Sequence, residues 1–491
     1  MKNRIFILII IISVLSACSE DFLQLAPKSE GTSEITYKTD KDFNDAVLGA
    51  YREFQDVYNR FFHFSEIPGE DVRQAALRDQ PIVRIDNFSV DINDARIFEV
   101  WRDNYQVIER VNTLLSKIEE VDVSAIANKD QYVGEAKFLR ALAYFNLVRV
   151  FGDVPLVSAP VKIEDALKTP RTDLNTIYSN LIIPDLQDAD AKLPETYSTS
   201  NVGRATKGAA KSVLGMVYLT THDFAKAETK LKEVTTMGYS LLENFEDLFD
   251  FSNEHHSEYI FDIEYVSGNI GLGSIYTRDF LVETQDVGAF RKVLTEALNI
   301  QGPEGGGRAT PSLDFMNLFE PGDLRQYRTA TTGVYTPNAY IQEGEFVQIP
   351  QTAALPAITL KYATPIVSDG YTNWRITRYA DVLLMLAEAM NENNKTTEAL
   401  GYLNQVRTRA GLSGYSGLSQ SEAREKIYLE RRIELFMEGG GGRWFDLLRT
   451  GRALQVCGPL GMEANETVFP IPQAEIEIVN DPAILWQNEG Y

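Results

Sequence analysis

Cysteine is almost missing from this chain of 491 residues: only Cys18 and Cys457 occur. A disulfide framework and cysteine-held metal clusters are therefore excluded once Cys18 is otherwise engaged. Histidine is nearly as scarce, with His63, His222, His255 and His256 making up all four. They show no H-x-x-x-H or H-E-x-x-H spacing, and a zinc site needs three or four convergent ligands, so neither a metal nor another cofactor is expected. Positive charge is also short: 47 Lys and Arg face 70 Asp and Glu, for a formal charge of −23. Such a surface repels a phosphate backbone, which argues against nucleic acid as a partner. No G-x-S-x-G elbow is present, so an α/β-hydrolase nucleophile is unsupported.

The N-terminus carries more information. Lys2 and Arg4 precede an apolar run from Ile5 to Leu15, far short of the roughly 20 residues a membrane span needs, which predicts a signal peptide over residues 1–17. Leu15-Ser16-Ala17-Cys18 resembles a bacterial lipobox, making Cys18 the lipidated first residue of the mature protein. Each buried CH₂ of an acyl chain contributes about 0.8 kcal/mol, so several chains anchor the protein to lipid without a spanning helix. Residues 18–40, with Ser19-Glu20-Asp21, Pro27 and Gly31, read as a polar tether.

Beyond the tether, helical periodicity dominates. The pattern predicts helices over about 41–59, 98–151, 206–236 and 378–410, within a single domain from 41 to 491. Leu214, Gly215, Tyr218, Ala227, Leu231 and Val234, with Phe224 between them, recur in register as Leu386, Ala387, Met390, Ala399, Leu403 and Val406, without a counterpart of Phe224. This is the register of a tetratricopeptide helix pair, with small residues where two helices approach closely and large ones filling the gap. Such units must stack to bury their faces. The fold class is therefore mainly α, a tetratricopeptide-like helical repeat scaffold. Two long irregular insertions interrupt it, at about 61–95 and 252–363, where glycine, proline and tyrosine become frequent and short β-like runs appear. Loops on a rigid scaffold are where ligand contacts tend to sit.

Two glycine-rich stretches invite a phosphate reading. In Gly203–Ser212 the lysine and serine come three residues after the second glycine instead of directly after it, which fails a P-loop, whose lysine must reach the β/γ-phosphates. In Met437–Gly451, MEGGGGRWFDLLRTG, the glycines follow a helix ending near Phe436 and permit the positive φ that turns the chain. Arg443-Trp444-Phe445-Asp446 then opens a short helix, its aromatics reading as core and its charges as ties across the corner. Acidic pairs such as Glu70-Asp71 are expected by abundance alone, and glycoside hydrolysis needs a carboxylate separation that sequence does not supply. Tyr265, Tyr276, Tyr335 and Tyr340 lie in the second insertion; each either offers a flat face to a sugar ring or fills a small core.

With lipobox, repeat register and insertions in hand, the chain resembles the SusD/RagB family of outer-membrane nutrient-uptake lipoproteins of the Bacteroidetes. The likeness rests on Trp101, Tyr105, Ile108 and Asn112, on GEAKFLRALAYFNLVRVFGDVPL (134–156), on RYADVLLMLAEAMN (378–391), on ERRIELFMEG with RWFDLLRTG, and on the C-terminal FPIPQAEI and NDPAILWQNEGY. The family's common Glu-Gly-His-Arg junction has a glycine here in place of its histidine and two further glycines. The resemblance implies a SusD-like α/α superhelix and a non-enzymatic protein at the cell exterior. Such a protein binds an oligosaccharide, or in some members a peptide, and delivers it to a SusC-like TonB-dependent transporter. Contacts would come from the insertions, which makes Asp71, Arg73, Arg78 and Asn87 in the first and Tyr265, Tyr276, Arg308, Tyr335 and Tyr340 in the second the candidates. No tryptophan stands between Glu66 and Trp101, which argues against a starch helix as ligand. A surface glycoside hydrolase is the rival from another class.

Overall fold

The structure, a computed structural model, describes residues 37–73, 79–281, 288, 290–301, 306–350 and 355–491. The expected leader, Cys18 and most of the tether lie outside the described residues, as does Arg78. Among the described residues no helix is long and apolar enough to cross a membrane.

The first three long helices form one end of the scaffold. Helix α1 (Asp40–Ser65) begins where Thr39 and Asp42 cap each other reciprocally, the Thr39 N–H donating to Asp42 Oδ2 at 2.8 Å. Its buried Phe43, Val47, Ala50, Phe54, Val57 and Phe61 follow alternating steps of four and three residues, one apolar stripe. Helix α2 (Ala95–Glu120) is capped by Asp94, whose carboxylate accepts from the Arg96 N–H at 2.9 Å. Helix α3 (Lys129–Phe151) stops at Gly152, where φ is 73°. It is buried nearly all round because it lies against α1, α2 and α4 (Ile183–Lys192). Its polar residues are matched: Glu135 with Arg204 at 2.8 Å and Arg140 with Asp185 at 2.7 Å.

The repeat register is seen as two helical hairpins. Helices α5 (Lys207–Thr220) and α6 (Phe224–Val234) pair, as do α7 (Tyr379–Glu392) and α8 (Thr396–Arg409), and α6 packs on α7 so that the hairpins stack. Gly215 shows why a small residue is required: a Cβ there would lie 2.5 Å from Leu231 Cγ. Helices α9 (Gln420–Glu434) and α10 (Gly442–Arg449) complete the scaffold. Between them the glycine corner turns at Met437, Gly439 and Gly442, with φ of 56°, 90° and 66°. Gly442 also lets α10 abut the end of α1, since a Cβ there would meet Ser65 O at 2.7 Å. Trp444 and Phe445 are buried, while Asp446 takes Arg431 and Arg449 at 3.2 and 2.8 Å.

The insertions are more ordered than their composition suggests. Residues 61–65 continue α1, and Gln80–Asp86 is a helix of its own. Among the described residues four short antiparallel pairs form: β1 (Val72–Arg73) with β5 (Thr310–Pro311) and β4 (Tyr259–Ile263) with β8 (Trp374–Arg378) link distant segments, while β2 (Val154–Pro155) with β3 (Arg171–Thr172) and β6 (Gly333–Thr336) with β7 (Glu345–Gln348) are local. The second insertion has its own small core, including Phe290, Leu294, Leu298, Val334, Ile349, Ile358 and Leu360. Local glycine and proline had concealed it. A buried charge network clamps this insertion to the scaffold. Arg325 pairs with Asp323, Glu430 and Glu434; Arg378 with Glu258, Glu434 and Glu438; Arg409 with Glu258 and Glu434; and Lys361 with Glu438. Burial pushes the Glu438 carboxyl up, but Arg378 and Lys361 outweigh it and hold the group at about 2, while burial lowers the Lys361 ammonium to about 8.

Candidate functional site

Pairing of β1 with β5 brings the two insertions to one seam. Arg73 stands opposite Thr310, two residues from Arg308. Arg308 Nε donates to Asp79 Oδ2 at 2.8 Å, and its Nη1 to Asp279. Arg96 Nη2 lies 3.5 Å from the same Asp79 oxygen, and Arg278 Nε donates to Asp279 at 2.9 Å. Arg73 Nη1 donates to the Val72 carbonyl at 2.8 Å and sits 3.9 Å from Asp86. Five arginines thus gather in an acidic chain, since Arg60 also closes on Glu99 at 3.3 Å.

Beneath them lies His63, fully buried, with neither ring nitrogen hydrogen-bonded among the described residues. Burial first, then the charges of Arg96, Arg308, Arg60 and Arg278, push its pKa well below the ordinary histidine value. The ring is therefore neutral at pH 7 and adds no positive charge to the seam. The half-exposed guanidinium groups present fixed N–H donors and the paired carboxylates present acceptors, an arrangement that suits hydroxyl-rich ligands. Residues 74–78, 282–287 and 302–305, adjacent in sequence to these side chains, lie outside the described residues.

The remaining candidates are placed differently. Asp71 is buried and serves the scaffold: Arg432 approaches it at 2.5 Å and Arg443 at 3.6 Å, and its carbonyl accepts the Ser312 N–H at 2.7 Å. Tyr265 and Tyr276 are core residues, 4% and 0% exposed, which leaves no ring face for a sugar. Their hydroxyls donate to the carbonyls of Gln55 at 2.9 Å and Tyr58 at 2.7 Å, stapling the second insertion to α1. Tyr335 is half-buried, edge-on to Tyr327 and Phe346 with centroids 5.4 and 5.2 Å away. Tyr340 is half-buried too, its hydroxyl donating to the Leu298 carbonyl at 3.0 Å. Asn87 is exposed at the end of the 80–86 helix. The seam therefore unites Arg73 and Arg308 and adds Asp79, Arg96, Arg278 and Asp279. The sequence did not single these out because acidic and basic residues abound and their partners lie far along the chain.

Comparison with known proteins agrees with this architecture. A sequence model described as "Starch-binding associating with outer membrane" matches residues 21–219, and one described as "SusD family" matches residues 361–464, together more than half of the chain. A SusD-like protein of Formosa agariphila, P2, is 29% identical over 539 residues, covering all of both chains. A SusD-like protein of Bacteroides ovatus is 27% identical, covering 92% of this chain and 83% of its own. Among solved structures, a laminarin-binding SusD-like protein superimposes with a TM-score of 0.74 at 25% identity, covering 93% of this chain and all of its own. Surface glycan-binding protein A of Bacteroides thetaiotaomicron, in complex with laminarihexaose, gives a TM-score of 0.75 at 20% identity over 92% of this chain and all of its own, a likeness of fold. With its stacked helical hairpins, its glycine corner and these matches along the length of the chain, the protein belongs to the SusD/RagB family.

Proposed function

We propose that this protein captures an oligosaccharide at the seam between its insertions and passes it, chemically unchanged, to a SusC-like TonB-dependent outer-membrane transporter. The observation that carries the reading is the β1–β5 pairing, which gathers Arg73, Arg308, Asp79 and Asp279 on a rigid scaffold. Paired guanidinium and carboxylate groups offer donors and acceptors to sugar hydroxyls with little reorganisation on binding. The relatives support it: one solved neighbour is named for laminarin and another holds laminarihexaose. Acylated Cys18 would hold the protein at the outer face of the outer membrane. A peptide ligand is the alternative within the family, because the same arginines accept carboxylates.

The test is Arg308→Ala. Removing the side chain breaks both carboxylate contacts while the strands remain, so oligosaccharide affinity should fall roughly tenfold or more with an unchanged circular dichroism spectrum. Calorimetry against laminarihexaose and against short peptides reads both ligand classes. Unchanged glycan affinity in a folded variant would remove the seam from the site, and peptide binding without glycan binding would reverse the ligand class.

A further inference from the structure

A cleft lined by residues other than those of the seam lies between the segment Phe245–Phe249 and the small core of the second insertion, with a volume of about 640 Å³. That is within the range of roughly 300–1,000 Å³ typical of small-molecule sites. Its walls mix Phe249, Tyr340 and Tyr371 with Glu246, Asp250 and Arg328. Arg328 is unusual. It is 5% exposed, and its Nη2 donates to the Tyr340 carbonyl at 3.2 Å, yet Nε and Nη1 have no hydrogen-bond partner among the described residues. Arg325, one helical turn earlier, is by contrast met by three carboxylates.

Leaving charged donors buried and unmet is costly, and Arg328, although Glu246 and Asp250 line the same cleft, forms no ion pair with either. The Tyr340 ring lies on one side of the guanidinium, its centroid 5.6 Å from the guanidinium carbon. The open N–H groups belong to a side chain that lines the cleft, beside tyrosines whose flat faces suit the C–H side of a pyranose. Glu246, Asp247 and Asp250 line the same cleft, each with one oxygen already accepting from Gln342, Asn244 or Ser252 and the other left for a hydroxyl, and they outnumber Arg328 in charge, which disfavours uronate or sulfated sugars. We infer that this cleft is a saccharide-binding site for a neutral hexopyranosyl unit, with the Arg328 N–H groups donating to its ring hydroxyls. The inference goes beyond the seam reading and does not require it, since the two sites share no side chain.

The experiment uses the soluble chain from residue 22 onward in four forms: wild type, Arg328→Met, Tyr371→Ala and Arg308→Ala. Each is titrated with laminarihexaose, maltohexaose and trigalacturonate, and binding is localised by hydrogen exchange in peptides spanning 245–252 and 363–371. A neutral hexasaccharide should protect both segments in wild type and in Arg308→Ala. Arg328→Met should weaken that protection roughly tenfold or more. Should Arg328→Met fail to fold, Tyr371→Ala, at the half-buried wall, must show the loss instead. No protection of these segments at saturating neutral glycan, unchanged protection in both cleft variants, or stronger protection by trigalacturonate would overturn the inference. Loss of one of two binding events in Arg308→Ala with the cleft still protected supports both sites, and protection of the cleft with binding unaffected by Arg308→Ala removes the seam alone.

Discussion

Glu434→Gln removes one negative charge from a place water does not reach. In the native protein Oε1 accepts Arg378 Nη1 at 2.6 Å and also Arg409 Nη2, while Oε2 accepts Arg325 Nη1 at 3.0 Å. None of these side chains is more than 3% exposed, so solvent cannot take over the released donors. Removing one partner of a buried ion pair costs about 3–5 kcal/mol, out of a total of about 5–15 kcal/mol for a domain, so the variant should be visibly destabilised at neutral pH. Burial raises the Glu434 pKa, but Arg409, Arg378 and Arg325 outweigh it and hold the carboxyl well below the usual carboxylate range. A depressed pKa contributes stability that is fully present above the unfolded value of about 4.3 and is lost as pH falls through the folded value. Urea unfolding, followed by circular dichroism, should therefore show a constant gap between wild type and Glu434→Gln from pH 7 down to about 5.5, narrowing in acid. A gap under about 1 kcal/mol at pH 7, the worth of an exposed pair, or a gap that widens in acid, would refute the reasoning.

Two further outcomes follow from the scaffold and the anchor. Gly215→Val should cost about 1–3 kcal/mol by overpacking α5 against α6, and Leu231→Ala should recover part of it in the double variant; strictly additive losses in a double-mutant cycle would show that the two residues do not meet. Cys18→Ala should give a folded protein that leaves the outer-membrane fraction, and membrane fractionation showing undiminished retention would contradict the lipobox reading.

The scaffold was legible because helix packing is written at short range. Gly215 and Leu231 are sixteen residues apart, so the close approach of α5 and α6 leaves its small-and-large pattern inside one window. The glycine corner was legible for the same reason, although Gly440 serves by packing: a Cβ there would lie 3.1 Å from Ile376 Cγ2. The site was less so. Whether Tyr265 and Tyr276 offer a face to a ligand or fill a core was not legible locally, because the carbonyls that receive their hydroxyls lie 210 and 218 residues earlier, on α1. Arg328 carried no local signal at all, since what marks it is that Nε and Nη1 meet no acceptor among the described residues, which only the folded chain can show.

Whether the protein binds glycan and leaves it intact is read by calorimetry of the soluble chain from residue 22 onward with neutral oligosaccharides. The ligand is recovered afterwards and assayed for new reducing ends. Saturable binding of at least one oligosaccharide is expected, with chain length and reducing-end count unchanged. New reducing ends that accumulate with time would make the protein a hydrolase and contradict it.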